Sequence, residues 1–178
     1  MAVTHFAFCP QCAVELSDWH HEGRLRLRCD GCGWVHWNNP TPVVAAIIEY
    51  KDKVLLARNA AWPAKMFALV TGFLEADESP ADGIAREVKE ETDLDADQID
   101  LIGVYDFQRR NELLICYAVK ASGTVRLSEE LAEYRLVEPA KLRPWRLGTG
   151  PAMAQWMQDR NLSFEWVDSP RELPDDDA

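Results

Sequence analysis

The hydrophobic positions of the chain predict a series of β-strands beyond the turn-forming residues 38–40. The run "PVVAAIIEY" is almost wholly apolar, which is typical of a strand buried on both faces. "KVLLAR" follows a short turn and predicts its hairpin partner, and "MFALVTG" predicts a third strand. Farther along, the pattern predicts two strands joined by a turn over residues 109–111, "IDLIGVYDFQ" and "ELLICYAVKA", and then a short strand, "EYRLVEP".

Two stretches have helical spacing. Ser79 is typical of an N-cap, Pro80 of a first helical position, and Asp82 can reach back toward the cap. At about 100° per residue, this helix has an apolar stripe that we expect to be buried. The stripe consists of Ala81, Ile84, Ala85 and Val88. A second helix is predicted over "GPAMAQWMQDR", beginning near Pro151. These elements indicate an α/β domain, although spacing alone leaves several α/β folds open.

The N-terminal segment has a different pattern, with two CxxC pairs separated by sixteen residues. "RLRLR" between the pairs and "GWVHW" after them predict strands. Four thiolates at this spacing suit tetrahedral Zn²⁺, because each CxxC turn presents two sulfurs to one ion. A redox CxxC is the alternative, but it needs a thioredoxin-like βαβ context that this segment lacks. The predicted zinc ligands are Cys9, Cys12, Cys29 and Cys32.

The role predicted for this zinc ribbon is structural. A segment of about 35 residues buries little apolar surface, so metal binding would stabilise its fold directly. We therefore favour a folding staple or dimer element, and the alternative is a substrate or nucleic-acid contact through Arg24, Arg26 and Arg28. The fifth cysteine, Cys116, lies in an apolar strand and is predicted to be a core residue.

Composition excludes some function classes. The chain has 178 residues and a formal net charge of −11, so duplex nucleic acid is an unfavourable main partner. No apolar run approaches the ~20 residues of a membrane span, and the first residues, "MAVTHFAFCP", do not have the pattern of an export signal. We expect a cytoplasmic protein with no membrane partner. The acidic ending predicts a disordered tail over residues 169–178.

Three acidic residues are crowded into the first predicted helix. Glu87, Glu90 and Glu91 fall on one arc beside the apolar stripe, although like charges at helical spacing repel. One interpretation is a solvated acidic face with Arg86 and Lys89 as partners. The other is a divalent cation site, since hard oxygen ligands on a rigid helix suit Mg²⁺ or Mn²⁺.

The spacing upstream of these acids favours the metal site. Five residues separate Gly72 from Glu78, and seven more lead to Arg86-Glu87, a bulky aliphatic residue and the pair Glu90-Glu91. This resembles the Nudix box, G-x5-E-x7-R-E-U-x-E-E-x-G-U, in six of its seven fixed letters and both aliphatic positions. Asp93 stands where the box has glycine, and Asp is among the residues that tolerate a left-handed conformation. We expect a modest geometric cost and retained activity.

The resemblance, which covers about residues 6 to 167, implies an α/β/α sandwich with a mixed sheet, preceded by the zinc ribbon. We assign residues 1–38 to the ribbon and 39–168 to the Nudix domain. The resemblance also implies that Glu87, Glu90 and Glu91 bind Mg²⁺ or Mn²⁺, with one of them acting as a base on water. It makes Glu78 an accessory ligand or orienter, Arg86 a holder of Glu87, and Gly72 a point of close backbone approach to the metal.

Two zinc-ribbon Nudix groups bear on the substrate. "NPTPVV" resembles the NP-x-x-VV segment of the plant FAD and ADP-ribose pyrophosphatase group. The NADH pyrophosphatases carry an SQPWPFP-like motif after the box, which is missing between residues 94 and 121. We therefore expect hydrolysis of FAD, ADP-ribose or NADH, in that order. The alternatives are an NADH-pyrophosphatase or decapping activity and, in another class, a catalytically weak nucleotide sensor or binding module.

Four further residues are weaker candidates for substrate binding. Trp62, Tyr105 and Phe107 flank predicted strand ends and could stack on an adenine or flavin ring, although core packing is the alternative for each. Glu133 precedes the late strand and could assist the metal site. The resemblance also favours a homodimer.

Overall fold

The computed structural model describes residues 6–170 and divides the chain into two compact units, Met1–Pro40 and Thr41–Ala178. We predicted a boundary after residue 38, and the structural division falls two residues later. The predicted tail, 169–178, lies outside the described residues except for its first two. No helix within residues 6–170 is long and apolar enough to cross a membrane.

The first unit is a small antiparallel sheet of β1 (Leu16–His21), β2 (Arg24–Cys29) and β3 (Val35–His36). The prediction of a strand over "RLRLR" is confirmed, whereas "GWVHW" contributes only two strand residues. The alternating pattern does not separate buried from exposed faces, since Leu25 is 57% exposed. A unit this small has little apolar interior with which to bury such a residue.

A mixed six-stranded sheet forms the centre of the second unit. Its order is β7-β8-β4-β5-β9, and β6 pairs with β4. β4 and β8 run parallel, and the other neighbours are antiparallel. The strands are β4 (Thr41–Tyr50), β5 (Lys53–Asn59), β6 (Val70–Phe73), β7 (Asp95–Phe107), β8 (Glu112–Ser122) and β9 (Leu131–Val137).

Two helices cover opposite faces of this sheet, α1 (Pro80–Thr92) and α2 (Gly150–Asp159), and a short 3₁₀ helix spans Pro139–Lys141. The alternation along β4 explains the layers. Val44, Ala46 and Ile48 pack in the same buried cluster as α1, whereas Ile47 packs with Met153 of α2. The predicted α/β/α sandwich and the burial of β4 on both faces are therefore confirmed.

The third predicted strand, "MFALVTG", was only partly correct. Strand pairing with β4 is confined to Val70–Phe73, and Ala68 forms an isolated antiparallel bridge with Ala57. Met66, Phe67 and Leu69 belong to no strand, and Lys65 just before them has φ of 68°. Phe67 is nevertheless fully buried. The apolar pattern here reflects packing against the core rather than a continuous strand.

The predicted start of α1 is confirmed in detail. Ser79 is the N-cap, and its Oγ accepts a hydrogen bond from the backbone N–H of Asp82 at 3.2 Å and donates one to the Asp82 carboxylate at 2.6 Å. Ile84 and Val88 are fully buried, but the predicted stripe was misplaced at Ala81 and Ala85, which are only half-buried. Gly83 and Thr92 are buried instead.

Cys116 confirms its assignment to the core. Its side chain has no exposed surface, and it packs in a cluster between β4, β8 and α2. Burial raises the pKa of the Cys116 thiol to about 12. The thiol is therefore neutral at physiological pH and lacks the thiolate character of a reactive cysteine.

Candidate active site

The guanidinium of Arg86 organises the predicted box residues. Its Nε and Nη2 form a fork on the two carboxylate oxygens of Glu78, at 3.1 and 2.8 Å. Its Nη1 donates to Glu87 at 2.7 Å and to Glu90 at 3.0 Å, and Nη2 also donates to the carbonyl of Phe73 at 3.1 Å. The single guanidinium of Arg86 thus holds three carboxylates and the end of β6 in place.

Glu78 lies in the loop that enters α1, and its carboxylate is held from two sides. Besides the Arg86 fork, it accepts the backbone N–H of Glu75 at 2.8 Å. The Arg86 hydrogen bonds and then the Glu75 N–H lower the pKa of Glu78 to about 2. Because it stays ionised at neutral pH, Glu78 keeps the loop attached to the helix.

The backbone of β6 provides the space that Glu87 occupies. A Cβ added to Gly72 would lie 1.8 to 2.2 Å from the carboxylate atoms of Glu87, a separation that only the absence of a side chain permits. The Glu87 side chain is 12% exposed. Burial raises its pKa, and the hydrogen bond and charge of Arg86 oppose that shift. The close approach that the structure shows at Gly72 is to Glu87, and the predicted approach of this backbone to the metal stays a prediction.

Glu90 and Glu91 have contrasting surroundings. The Glu90 side chain is 60% exposed, beside Arg86. Glu91 is half-buried, and burial followed by the charges of Glu87, Glu130 and Glu90 raises its pKa to about 7. Glu91 is therefore repelled by its acidic neighbours at a position that solvent reaches only in part. A divalent cation binds carboxylate oxygens and would relieve this repulsion. In the described part of the chain, however, the four cysteines are the one group of side chains close enough together to hold a metal ion, so metal binding by these glutamates stays a prediction.

Glu130 is an acid that the sequence analysis missed at this site. Its charge raises the pKa of both Glu87 and Glu91. The segment around it is tied to α1, because the N–H of Ser128 donates to the carbonyl of Glu91 at 3.1 Å. The signal was the acidic pair before β9, but we selected Glu133. The structure pairs the Glu133 carboxylate with Arg58 at 2.5 Å.

A cavity of about 260 Å³ opens on the α2 side of the sheet. Two of the three predicted aromatic contacts, Trp62 and Phe107, line it. Tyr105 is not one of its lining residues and packs in the cluster around Cys116 instead. The other lining side chains include Trp145, Leu114, Thr71, Leu69, Arg110 and Glu112.

One residue of the acidic cluster, Glu91, lines a second pocket beside the cavity. A smaller pocket of about 40 Å³ contains Glu91 in its wall and shares three residues with the larger cavity, Trp62, Leu69 and Thr71. Leu69 lies just before β6 and Thr71 lies within it. The same strand contains Gly72, against which Glu87 packs. The two pockets therefore lie beside each other and share the wall formed by Trp62, Leu69 and Thr71.

The four cysteines of the first unit form a separate metal site candidate. Their sulfurs all lie within 4.8 Å of one another, with Cys12–Cys29 at 3.4 Å and Cys9–Cys32 at 3.5 Å. Tetrahedral Zn–S bonds of about 2.3 Å require sulfur separations of roughly 3.8 Å, so the cluster fits Zn²⁺. The two turns repeat one geometry: Ala13 N–H donates to Cys9 O at 2.8 Å, and Gly33 N–H to Cys29 O at 2.9 Å.

Comparison with known proteins identifies the family. The model of the NUDIX domain matches residues 39–159. The chain belongs to the Nudix hydrolase family. The match includes every predicted box residue and both helices of the sandwich.

Similar proteins agree with this assignment. A Nudix hydrolase from Nitrosomonas europaea has a crystal structure that matches with a TM-score of 0.75 and 26% identity, covering 91% of this chain and 99% of that one. The crystal structure of an ADP-ribose pyrophosphatase from Streptococcus suis matches with a TM-score of 0.55 and covers 72% of this chain and 100% of that one. Because the two sequences are only 19% identical, this match supports the fold alone.

The curated relatives carry a more specific name. The NAD-capped RNA hydrolase NudC of Vibrio atlanticus (strain LGP32) is 29% identical over 120 residues, which cover 67% of this chain and 44% of the relative. The NudC of Pseudomonas aeruginosa (strain LESB58) is 28% identical over 130 residues, covering 72% and 46%. This Nudix chain thus spans less than half the length of these relatives.

Proposed function

We propose that this chain hydrolyses the pyrophosphate bond of a nucleoside diphosphate linked to a second group, using Mg²⁺ or Mn²⁺ held by Glu87, Glu90 and Glu91. Among substrates, NAD-type dinucleotides come first, because the curated relatives are named as hydrolases of NAD-capped RNA. FAD and ADP-ribose, which the "NPTPVV" segment favours, come next.

In this proposal, the glutamates and Arg86 have different roles. Glu87, Glu90 and Glu91 supply carboxylate oxygens to the cation, and one of the three accepts the proton of the attacking water. Arg86 positions Glu87 and Glu90 and fastens the Glu78 loop to α1. The bound cation would supply Lewis-acid stabilisation of charge on the phosphoryl oxygens. Water attack on one phosphorus then yields two products that each end in a phosphate.

The neighbouring positions of the two pockets carry this proposal. Glu91 lines a small pocket that shares Trp62, Leu69 and Thr71 with the apolar cavity. A dinucleotide needs these two environments side by side, with aromatic walls for a ring and carboxylates with a cation for the pyrophosphate. An isolated acidic surface would have no such neighbour.

The test is a substrate panel with a matched pair of variants. NAD, NADH, FAD, ADP-ribose and nucleoside triphosphates are incubated with Mg²⁺ or Mn²⁺, and AMP, other mononucleotide products and phosphate are separated by chromatography. The wild type is expected to release AMP from at least one dinucleotide. Glu90→Gln removes one anionic ligand and is expected to lower turnover at least about 100-fold. Glu129→Gln, at an exposed acid near β9, is the control.

Two outcomes would contradict the proposal. The absence of turnover on every substrate, with binding retained, would support the nucleotide sensor instead. Full activity of Glu90→Gln would show that the ligand assignment is wrong. Circular dichroism and zinc content of the variants should match those of the wild type, so that lost activity reports on the site rather than on folding.

A further inference from the structure

One carboxylate faces the apolar cavity rather than the metal site. Glu112 is the first residue of β8 and stands opposite Phe107 in the β7–β8 pairing. Both residues line the cavity. The Glu112 side chain is only 13% exposed. Among the cavity-lining residues within 6–170, Glu112 is the one acid and Arg110 the one cation.

The contacts described for Glu112 leave its oxygens available to a ligand. Within the described part of the chain, its ionic partner is Arg110, whose Nη1 lies 3.8 Å from the Glu112 Oε1, too far for a hydrogen bond. The Arg110 side chain is 69% exposed, so solvent weakens the pair. Burial raises the pKa of Glu112 and the charge of Arg110 only partly opposes it, as expected for a carboxylate that lacks strong donors.

The chemistry of the cavity restricts what could satisfy this group. An ionised carboxylate is an acceptor only, so its complement is a group with N–H or O–H donors. The surrounding walls include three aromatic residues, Trp62, Phe107 and Trp145, which suit a planar ring. A planar ring that carries an external NH₂ group combines the two features.

We propose that Glu112 accepts a hydrogen bond from an NH₂ group on the ring that enters the cavity, and that it thereby selects substrates with that group. This inference rests on the proposed function and specifies its substrates. The shared chemistry is an NH₂ on a flat heterocycle, which a dinucleotide such as NAD offers twice, as the carboxamide of nicotinamide and as the 6-amino group of adenine. Replacing NH₂ by oxygen would set an acceptor or an anion against the carboxylate, which costs affinity.

The test compares three dinucleotides that differ at these groups. They are NAD, nicotinic acid adenine dinucleotide, in which a carboxylate replaces the carboxamide, and nicotinamide hypoxanthine dinucleotide, in which oxygen replaces the adenine amino group. The wild type is expected to prefer NAD over one of the two analogues by at least about tenfold in kcat/KM. The disfavoured analogue identifies which ring occupies the cavity.

Glu112→Gln separates this role from a structural one. Glutamine keeps the size of the side chain and adds a donor, so the preference for NAD over the disfavoured analogue should fall about tenfold or more, partly through better use of the analogue. Asp106→Asn is the control, because it removes a charge from the neighbouring strand β7 at an exposed position. It should keep the wild-type preference, and thermal melting should confirm that both variants fold.

Binding measurements keep this inference separate from the hydrolase proposal. Calorimetric titration with the same dinucleotides, without divalent cations, reports the preference without turnover. If the wild type binds NAD selectively but hydrolyses nothing, the hydrolase proposal fails and the role of Glu112 stands. If the wild type discriminates against neither analogue in both assays, or if Glu112→Gln retains the wild-type preference, the role assigned to Glu112 is wrong.

Discussion

Replacing Gly72 by alanine tests whether β6 seats Glu87. The added methyl would lie 1.8 Å from the carboxyl carbon of Glu87 and 2.0 and 2.2 Å from its two oxygens. Non-bonded carbon contacts are most favourable at about 3.5–4.0 Å, so the Glu87 carboxylate must move by roughly 1.5 Å or more. Gly72 does not have a positive φ, so alanine introduces no backbone strain. The perturbation is directed at one carboxylate.

The expected loss is larger in catalysis than in stability. Displacing Glu87 breaks its 2.7 Å hydrogen bond to Arg86, and bonds to charged groups contribute about 1.5–3 kcal/mol. Alanine also makes the unfolded chain less flexible, which returns about 0.4–1 kcal/mol. We therefore expect the free energy of unfolding to fall by about 0.5–2.6 kcal/mol. A catalytic group misplaced by about 1 Å can lower the rate about 100-fold, and we expect that loss in kcat/KM.

A double-mutant cycle on the best substrate of the panel measures the coupling. Gly72→Ala, Glu87→Ala and the double variant are compared by kcat/KM with Mg²⁺, and urea unfolding gives their stabilities. Since alanine at position 87 no longer reaches β6, adding Gly72→Ala to Glu87→Ala should cause little further loss. Phe73→Ala, on the same strand and 61% exposed, is the control. The reasoning is refuted if Gly72→Ala keeps full activity or costs the same factor in both backgrounds.

Two further predictions concern the other metal-related groups. Stripping zinc with a strong chelator should unfold residues 1–38 first, seen as faster hydrogen exchange in β1 and β2 while α1 stays protected; unchanged exchange and oligomeric state would contradict a structural ribbon. Glu130→Gln should weaken the apparent affinity for activating Mg²⁺ by about threefold to tenfold, because it removes a charge that acts on Glu87 and Glu91. Glu129→Gln should leave that affinity unchanged, and equal effects of the two variants would refute a local role for Glu130.

Local signals predicted the elements whose patterns arise from neighbours in sequence. The unbroken apolar run of β4 and the cap at Ser79 were correct because burial on two faces and capping are local chemistry. The segment before β6 was predicted as strand because its apolar residues match a strand's composition. Their burial has a tertiary cause: Phe67 lies in the α2-side core, with the Arg135 guanidinium 4.2 Å from its ring centroid. Composition alone could not distinguish these cases.

The acids of the site also fall into two groups, those that local spacing identifies and those whose role depends on tertiary structure. The box glutamates and Arg86 are set by spacing on one helix, so they could be named before their contacts were known. The different positions of Glu130 and Glu133 depend on the pairing of β9 with β5. This pairing places Glu133 opposite Arg58, and it has a register shift between Arg58 and Asn59. Glu112 lies at the start of a strand, where an acid is ordinary. Its significance comes from the cavity, which forms only when β6, β7, β8 and the segment before α2 meet.

Asp93 shows how a departure from the box affects conformation rather than chemistry. It has φ of 58° at the end of α1, where its N–H still donates to Lys89 O at 2.9 Å. A left-handed L-residue costs about 1–2 kcal/mol. Lys89 offsets part of this cost, because its ammonium donates to the Asp93 carbonyl at 3.1 Å and pairs with the Asp93 carboxylate at 2.8 Å. Both side chains are exposed, and such pairs contribute about 0–1 kcal/mol. The remaining cost falls on stability, since Glu90 and Glu91 lie inside the helix before the left-handed residue. The departure therefore gives no support to a binding-only role, and the choice between hydrolase and sensor rests on the glutamates themselves.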